Sequence, residues 1–407
     1  MRASIRGVRF RRVDRAQWIV ALLVLSLIAA ACSSSEPAAT TTTVAPTSPA
    51  TTTPPETSVA TTTTSVATTT TVAPGLIGAL PQCEDAAVIP ASIDDGQVSF
   101  IAGGTVYVAD ADGTNVQCVT QASSDEPFLW GPAADRLVAG DAVITEDAAT
   151  PAPTTAMQTW SRPTGKALVW VDGGRLLKSN IDDIQARDLT FLARHDAVTY
   201  HPAGVEIATT GEADDGTRGV WLASNEGGDP RLIVRAEEAI VHDFTFTHDG
   251  LSAFFLAEHD DEWHVHDIFL VLPEGDPEAN EFDATIRYSS AGPLSHLVVS
   301  PWDWMWAAQD RTCGSGARVV IGDTVVPLEL AEVETYPVGW LPGPRLVVAA
   351  YGDGCDGVQD LWVLDVGFDG ASSATLLVSG VAGAAVRAAV PDPPPPLGDV
   401  STDAFTW

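Results

Sequence analysis

A short pattern recurs along this chain and constrains its fold more than any other feature. An apolar or aromatic segment ends in a turn that contains Pro, Gly or Asp, and a second β-rich segment follows at once. Gly and Asp tolerate the backbone angles of tight reversals, and Val, Ile, Leu and aromatic residues favour strands, so each copy predicts a β-hairpin. The copies are FLWGPAADRLVAG (128–140), QTWSRPTGKALVW (158–170), VTYHPAGVEIATT (198–210), FTFTHDGLSAFFL (244–256), VVSPWDWMWAA (298–308) and VGWLPGPRLVVAA (338–350).

Further strands follow most of the hairpins. Third strands include GVWLAS (219–224) and DLWVLD (360–365), and fourth strands include PRLIV (230–234) and ATLLV (374–378). Four antiparallel strands that recur along a chain are typical of the blades of a β-propeller. Because no long stretch between residues 75 and 391 has a helical period of apolar residues, the sequence predicts an all-β fold.

The two ends of the repeat region predict how the ring closes. Residues 97–120 contain three strands, and residues 384–390 (AAVRAAV) contain a lone one. Pairing them completes one four-stranded antiparallel blade and removes the exposed edges of an open sheet. This count predicts seven blades. The segment from Trp130 to Trp160 is short and rich in Pro and Thr, so a six-bladed ring with an irregular insertion is the alternative.

Two segments carry a family resemblance. VYVADADGTNVQCVT (106–120) and VTYHPAGVEIATTGEADDGTRGVWLASNEGGDPRLIV (198–234) resemble the WD40-like repeats of TolB-type β-propellers. The resemblance covers roughly residues 97–391 and implies the fold. Residues 33–96 do not match the α/β domain that precedes the propeller in TolB, and TolB carries no lipid anchor. The resemblance therefore does not imply a role in the Tol system.

The N-terminus has the three parts of an export signal. Six arginines precede an apolar run from Trp18 to Ala31, and small residues lead directly to Cys32. The run is shorter than the ~20 residues that span a bilayer, which favours cleavage over a transmembrane helix. Ala29–Ala31 before Cys32 resemble the lipobox of bacterial lipoproteins, in which the cysteine is lipidated. The alternative is ordinary secretion, with Cys32 as a spare thiol.

These features predict an exported lipoprotein, anchored through Cys32 at the extracytoplasmic face of the cell membrane. Residues 33–74 contain almost only Thr, Ser, Ala, Pro and Val and cannot form a core, so they predict a disordered tether. The predicted organisation is a signal peptide (1–31), the lipidated cysteine with its tether (32–74), a lead-in (75–96), the propeller (97–391) and a disordered Pro-rich tail (392–407).

Charge narrows the choice of partners. The chain has 54 acidic and 21 basic residues, and its formal net charge is −33. Such a charge repels nucleic acids and favours a protein or envelope polymer of basic character, or divalent cations. We therefore expect no nucleic-acid binding. The alternative interpretation is that the charge serves solubility or salt tolerance alone.

Four cysteines besides Cys32 predict two disulfides, because the chain leaves the reducing cytosol and has no C-x-x-C spacing. Cys313 and Cys355 lie in equivalent loops of consecutive repeats, and equivalent loops of adjacent blades are neighbours. We therefore expect Cys313 to pair with Cys355, which leaves Cys83 to pair with Cys118.

The repeat register places the loops between second and third strands on one face of the propeller. These loops are rich in carboxylates, and we interpret them as a docking face for a basic partner or for Ca²⁺, the one candidate cofactor. Solvated loop tips are the alternative, since Asp is an ordinary turn residue. The candidate face consists of Asp214, Asp215, Glu258, Asp260, Asp261, Asp310, Asp353 and Asp356.

Two further patterns are weaker. His264 and His266 share one side of a strand, as metal ligands do, but their spacing matches no defined zinc motif, so a polar hairpin is favoured. Trp302, Trp304 and Trp306 alternate in sequence, which predicts one strand face that packs between blades.

The sequence favours a binding module over an enzyme. It has no G-x-S-x-G nucleophile motif, and no catalytic residue is assigned. The alternative function is a propeller-type hydrolase or lyase that acts on envelope or extracellular glycans. A carboxylate in a dry central channel would then have a pKa well above its usual ~4, whereas carboxylates on the rim would not.

Overall fold

The fold is a β-propeller of seven four-stranded antiparallel sheets, as the repeats predict. The computed structural model describes residues 75–83, 89, 96–121, 127–156, 158–181, 183–228, 230–236, 239–270, 284–302, 305–322, 324–325, 330, 333–352, 355, 357–367 and 370–388. These residues contain strands and turns and no α-helix. The predicted signal peptide, Cys32, the tether and the tail lie outside them.

The strands fall into seven blades, which we number in chain order. Blade 1 begins with β1 (Gln97–Ala102), β2 (Thr105–Asp110) and β3 (Gln117–Gln121). Blade 2 contains β4 (Phe128–Trp130), β5 (Arg136–Ala139), β6 (Ala142–Thr145) and β7 (Ala149–Pro151). Blade 3 contains β8 (Gln158–Trp160), β9 (Ala167–Asp172), β10 (Arg175–Asn180) and β11 (Asp183–Asp188). Blade 4 contains β12 (Arg194–Tyr200), β13 (Glu206–Glu212), β14 (Arg218–Ser224) and β15 (Arg231–Arg235).

The remaining strands complete the ring. Blade 5 contains β16 (Ala239–Phe246), β17 (Ser252–His259), β18 (Glu262–Phe269) and β19 (Thr285–Ser290). Blade 6 contains β20 (Leu294–Val299), β21 (Trp306–Asp310), β22 (Arg318–Ile321) and β23 (Thr324–Val325). Blade 7 contains β24 (Thr335–Leu341), β25 (Arg345–Tyr351), β26 (Gln359–Gly367) and β27 (Gly370–Val381). The last strand, β28 (Gly383–Arg387), returns to blade 1.

Closure joins the two ends of the repeat region in blade 1. Strand β28 pairs antiparallel with β1, with Val386 opposite Val98 and Ala384 opposite Phe100. The Ser99 hydroxyl adds a bond of 2.9 Å to the Ala385 carbonyl across this seam. The predicted closure is therefore confirmed. The six-bladed alternative is wrong, because the segment between Trp130 and Trp160 contributes β5, β6 and β7 to a blade of its own.

The core lies between neighbouring blades. Five consecutive residues of β25, Leu346 to Ala350, are buried, because both faces of this second strand pack against an adjacent sheet. The second strands β1 and β17 show the same continuous burial. Fully buried side chains such as Phe100 and Leu341 join blades 1 and 7 in one cluster, and each contributes about 1.5–3 kcal/mol.

The lead-in bridges the blades beside the closure. The amides of Leu76 and Ile77 donate to the carbonyls of Leu376 and Leu377 on β27, at 3.1 and 2.9 Å. The Ile77 side chain is buried in the cluster between blades 1 and 7. Beyond it, Cys83 is bonded to Cys118 on β3. One short segment thus holds the outer strands of blades 7 and 1 together.

The tryptophan prediction is wrong in its geometry. Trp302 lies in the turn after β20, whereas Trp306 begins β21, so the two side chains do not share a strand face. Trp306 is buried between blades 5 and 6, close to Phe254. Trp302 packs against the core cluster between blades 6 and 7, so packing between blades is confirmed for both residues, and it also lines a cavity at the propeller axis. Trp304 lies outside the described residues.

Candidate functional site

The loops between second and third strands bring two pairs of exposed aspartates to the same face of neighbouring blades. Asp214 and Asp215 lie between β13 and β14 of blade 4, and Asp260 and Asp261 form the turn between β17 and β18 of blade 5. Both turn residues of blade 5 have positive φ, 49° and 68°, as a two-residue type I′ hairpin turn requires. Aspartate tolerates this geometry better than most residues and projects its charge into solvent.

The four aspartates of these two loops make few contacts with the described residues around them. The Thr217 amide donates to the Asp215 carboxylate at 2.9 Å, and this bond lowers the pKa of Asp215. The Asp260 carboxylate lies 3.5 Å from His259. Asp214 and Asp261 form no ion pair or hydrogen bond with a described residue. We call Asp214, Asp215, Asp260 and Asp261 the acidic face.

Asp310 does not belong to the acidic face, which corrects the sequence prediction. Its side chain is 1% exposed because it lies at the end of β21 against the outer strand of blade 5. The Tyr288 hydroxyl donates to it at 3.0 Å, the Ser290 hydroxyl donates to its other oxygen, and Arg318 pairs with it at 2.9 Å. Asp310 thus joins blades 5 and 6 and presents no charge to solvent.

The other predicted carboxylates divide into two groups. Glu258, at the end of β17, is half-buried and accepts a bond of 3.0 Å from His242 Nε2. It therefore borders the acidic face without being free. Asp353 and Asp356 lie outside the described residues. The full predicted set is not brought together by the described part of the chain.

Both predicted disulfides are confirmed. Cys313 and Cys355 join the equivalent loops of blades 6 and 7, with their Cα atoms 5.8 Å apart, and the Cα atoms of Cys83 and Cys118 are 5.5 Å apart. Beside the first bridge, the Glu334 carboxylate accepts hydrogen bonds from the amides of Gly314 and other residues of the same loop. These bonds lower the pKa of Glu334 and fix the loop.

Metal-ligand geometry is poor within the described residues. One group of three ligand types lies close enough for a shared ion, Cys313, Glu334 and Cys355, but both sulfurs are consumed by the disulfide. The described aspartates of the acidic face do not form such a group. Calcium binding at this face stays a prediction without a preformed site.

His264 and His266 share one side of β18, as the sequence predicts, with ring centroids 5.7 Å apart. His264 Nδ1 lies 3.0 Å from the Ser289 hydroxyl. His266 stacks on Phe255 at 4.8 Å, and burial lowers the pKa of His266 to about 4, so its ring is neutral near pH 7. No third ligand from the described residues joins this pair. Packing in the hairpin accounts for both rings.

Aromatic and histidine side chains form stacked pairs on several strands of blades 5, 6 and 7, and sequence reasoning missed them. His242 stacks on Trp263 with centroids 4.2 Å apart. In the neighbouring blades, His296 packs on Tyr336 at 4.8 Å, and Tyr336 packs on Tyr351 at 5.0 Å. No single sequence motif marks these residues, because each blade contributes one or two of them.

One carboxylate on a first strand has a strongly shifted pKa. Asp243 of β16 follows a bulge at His242, and desolvation raises the pKa of Asp243 to about 6. Its carboxylate accepts hydrogen bonds from the amides of Phe244 and, in the next blade, Leu297. Its two amide bonds join the first strands of blades 5 and 6.

A cavity of about 290 Å³ lies in the channel, at the end opposite the acidic face. First strands of blades 7, 1 and 2 line it, together with the loops that follow the first strands of blades 2, 3 and 6. Its side chains include Trp130, Trp302, Trp340 and Arg162. Asp243 is not among its lining residues.

Comparison with known proteins yields fold-level likeness only. No protein-family model matches the chain, and no curated protein matches it. Among solved structures, a putative TolB from Agrobacterium tumefaciens is 15% identical, with 73% of this chain and 99% of that chain covered and a TM-score of 0.44. TolB from Acinetobacter baumannii is 14% identical, covering 72% and 66%, with a TM-score of 0.41.

Some of the solved structures that resemble this chain are enzymes. An oligogalacturonate lyase from Vibrio parahaemolyticus is 12% identical, with 68% of this chain and 93% of that chain covered and a TM-score of 0.45. Because every one of these TM-scores lies below 0.5, the similarities assign no activity to this chain. Within the part of the chain that the structure describes, no helix is long and apolar enough to cross a membrane.

Proposed function

We propose that this protein is a non-enzymatic binding module of the cell envelope that docks a basic protein through its acidic face. The observation that carries the proposal is the pairing of Asp214 and Asp215 with Asp260 and Asp261 on adjacent blades, all four exposed. Four exposed carboxylates on one face attract a cationic partner and speed its encounter. An envelope polymer of basic character is the other outcome that the test below distinguishes.

The N-terminal sequence supports a location for this module. The predicted signal peptide ends immediately before Cys32, and acyl chains on that residue would hold the protein at the extracytoplasmic face of the membrane. If residues 33–74 form the tether that their composition predicts, a coil of about 40 residues would have a root-mean-square span on the order of 35 Å. The acidic face would then reach partners away from the lipid surface. Both disulfides suit an oxidising compartment.

Photocrosslinking in intact cells tests the docking proposal. The parent chain should yield one dominant protein adduct, and changing Asp214, Asp215, Asp260 and Asp261 to Asn should remove it. Asn keeps the size of each side chain and tolerates positive φ, so the loops retain their shape. A dominant adduct with polysaccharide in place of protein would identify a polymer partner instead.

A matched control separates position from charge. Glu146 and Asp147 are exposed in the turn between β6 and β7, at the opposite end of the strands. The Glu146→Gln, Asp147→Asn pair removes as many charges as Asp260→Asn with Asp261→Asn. We expect the control pair to leave the adduct unchanged. Equal loss in both pairs, or retention of the adduct in the four-residue variant, would rule out docking through the acidic face.

The alternative function, a glycan hydrolase or lyase, is favoured by one observation. Asp243 carries the raised pKa that a general acid in the channel needs. Two backbone amides occupy its carboxylate, however, and the channel cavity does not include it. Loss of a glycan-cleaving activity in Asp243→Asn would establish the enzyme and overturn the binding-module proposal.

A further inference from the structure

The cavity in the channel is lined by apolar residues, tryptophans and an arginine, in a chain that is otherwise strongly acidic. It lies on the axis, where β24, β28 and β4 of three successive blades meet, and it holds about 290 Å³. This volume suits a small molecule and is too small for a folded segment. The described lining residues include no carboxylate, in a chain that has 54 acidic residues.

Three indole rings contribute to the wall, and hydrogen bonds hold two of them. The Trp130 N–H donates to the Ser99 hydroxyl at 2.7 Å, and the Trp340 N–H donates to the Val298 carbonyl at 3.2 Å. Trp302 completes the set from the turn after β20. Trp340 is 4% exposed, so the half-buried Trp130 and Trp302 offer the accessible apolar surface, and such surfaces stack on other rings.

Positive charge accompanies the aromatic wall. Arg162 lines the cavity from the loop between β8 and β9, and it forms no hydrogen bond or ion pair with a described residue. Burial lowers the pKa of Arg162, and no carboxylate of the described residues offsets this effect. Arg387, which is 1% exposed, lies 4.8 Å from the centroid of Trp130 and donates to Gln97 at 2.8 Å.

We propose that this cavity binds a small organic carboxylate whose ring stacks on the tryptophans. A half-buried guanidinium that has no partner among the described residues carries a desolvation cost that an anion would offset, and Arg binds carboxylates through two parallel hydrogen bonds. The charge of Arg387 behind Trp130 adds to the attraction for an anion. A phosphate or sulfate alone would leave the indole surface without a partner.

Matched probes test the two halves of this ligand in the intact protein. Benzoate and benzamide share a ring and differ in charge, and glucuronate and glucose form the same comparison for a sugar ring. Quenching of tryptophan fluorescence during titration reports binding. We expect saturable binding of at least one carboxylate, and binding of its neutral counterpart at least about tenfold weaker.

Variants locate the site. Arg162→Gln should weaken binding of that carboxylate by about tenfold or more, because it removes a charged hydrogen-bond donor. The control is Arg175→Gln, an exposed residue of the same blade that pairs with Asp188. Saturable binding that is equal for acid and neutral probes, or that is unchanged in Arg162→Gln, would overturn the proposal. So would the absence of binding by all four probes at millimolar concentration.

Two features keep these outcomes interpretable. The comparison of acid with neutral probes uses the parent protein, so it holds even if Arg162→Gln fails to fold. The acidic face lies at the other end of the channel, so its four-residue Asn variant should bind the carboxylate as the parent does. Failure of this proposal therefore leaves the docking proposal untouched.

Discussion

Replacement of Asp243 by Asn should stabilise the protein at neutral pH, by an amount that grows with pH. The folded protein raises the pKa of Asp243 from 3.8 to about 6, chiefly by desolvation. Below pH 3.8 the carboxyl group is protonated in both states and costs nothing. As pH rises toward 6, the unfolded chain ionises first and gains free energy, so the stability that Asp243 contributes at low pH is lost.

The size of the effect follows from the shift. At about 1.4 kcal/mol per pKa unit, the shift corresponds to at most about 3 kcal/mol of unfolding free energy. Part of this develops below pH 4, so the advantage of Asn should grow by about 2 kcal/mol between pH 4 and pH 7. Asn keeps an oxygen that can accept the bond from the Phe244 amide, which limits other losses.

Urea unfolding of the parent and of Asp243→Asn, followed by tryptophan fluorescence at several pH values, measures this difference. Burial lowers the pKa of His195 and of His266 to about 4, so both histidines cost stability as pH falls through 6.5. That loss is common to parent and variant and cancels in the difference. Asp147→Asn, in the exposed turn between β6 and β7, reports the effect of removing a carboxylate from the surface.

A difference between parent and Asp243→Asn that stays constant from pH 4 to pH 7 would refute this account. It would mean that water reaches the carboxyl group freely in the folded protein. A difference of opposite sign would mean that the two hydrogen bonds from backbone amides stabilise the Asp243 carboxylate more than burial destabilises it.

Three further predictions concern the frame and the anchor. Gly204→Ala should strongly destabilise the protein, because φ is +75° and a Cβ at this position would lie 2.0 Å from a backbone oxygen of blade 3. Gly216→Ala is the control: φ is +84° but the surrounding space is open, so this change should lower the free energy of unfolding by only about 1 kcal/mol. Urea unfolding of the two variants measures the difference. Replacing Cys313 and Cys355 by Ser opens a loop of 42 residues and should cost on the order of 4 kcal/mol in the same assay; an unchanged midpoint would contradict this. Cys32→Ser should release the protein from membranes into the soluble fraction, and continued retention would indicate an uncleaved helix.

The sequence predicted the ring because its strongest signals are those that form the ring. Turn residues and apolar runs mark the hairpins of first and second strands, and second strands such as β25 are buried on both faces. Outer strands were harder to recognise. Strand β7 (Ala149–Pro151) is fully exposed and strand β11 (Asp183–Asp188) is mostly polar, so neither carries a hydrophobic pattern.

The candidate site was predictable in position but not in detail. The repeat register correctly places the loops of the acidic face and of the Cys313–Cys355 bridge. Asp310 was misjudged because its burial depends on Tyr288 and Ser290 of the preceding blade, which no local pattern connects with it. Arg162 was missed for the same reason, since its surroundings come from distant repeats.

The route by which the chain enters the propeller determines how the molecule bears mechanical load. A force applied to the segment before residue 75 first breaks the two hydrogen bonds that the Leu76 and Ile77 amides donate to β27. It then meets the covalent bridge at Cys83, which passes the force to β3 instead of to β1 beside the seam. Tension from a tethered N-terminus would therefore act on the outermost strand of blade 1. The hydrogen bonds between β28 and β1 would break only after the outer strands of that blade had separated.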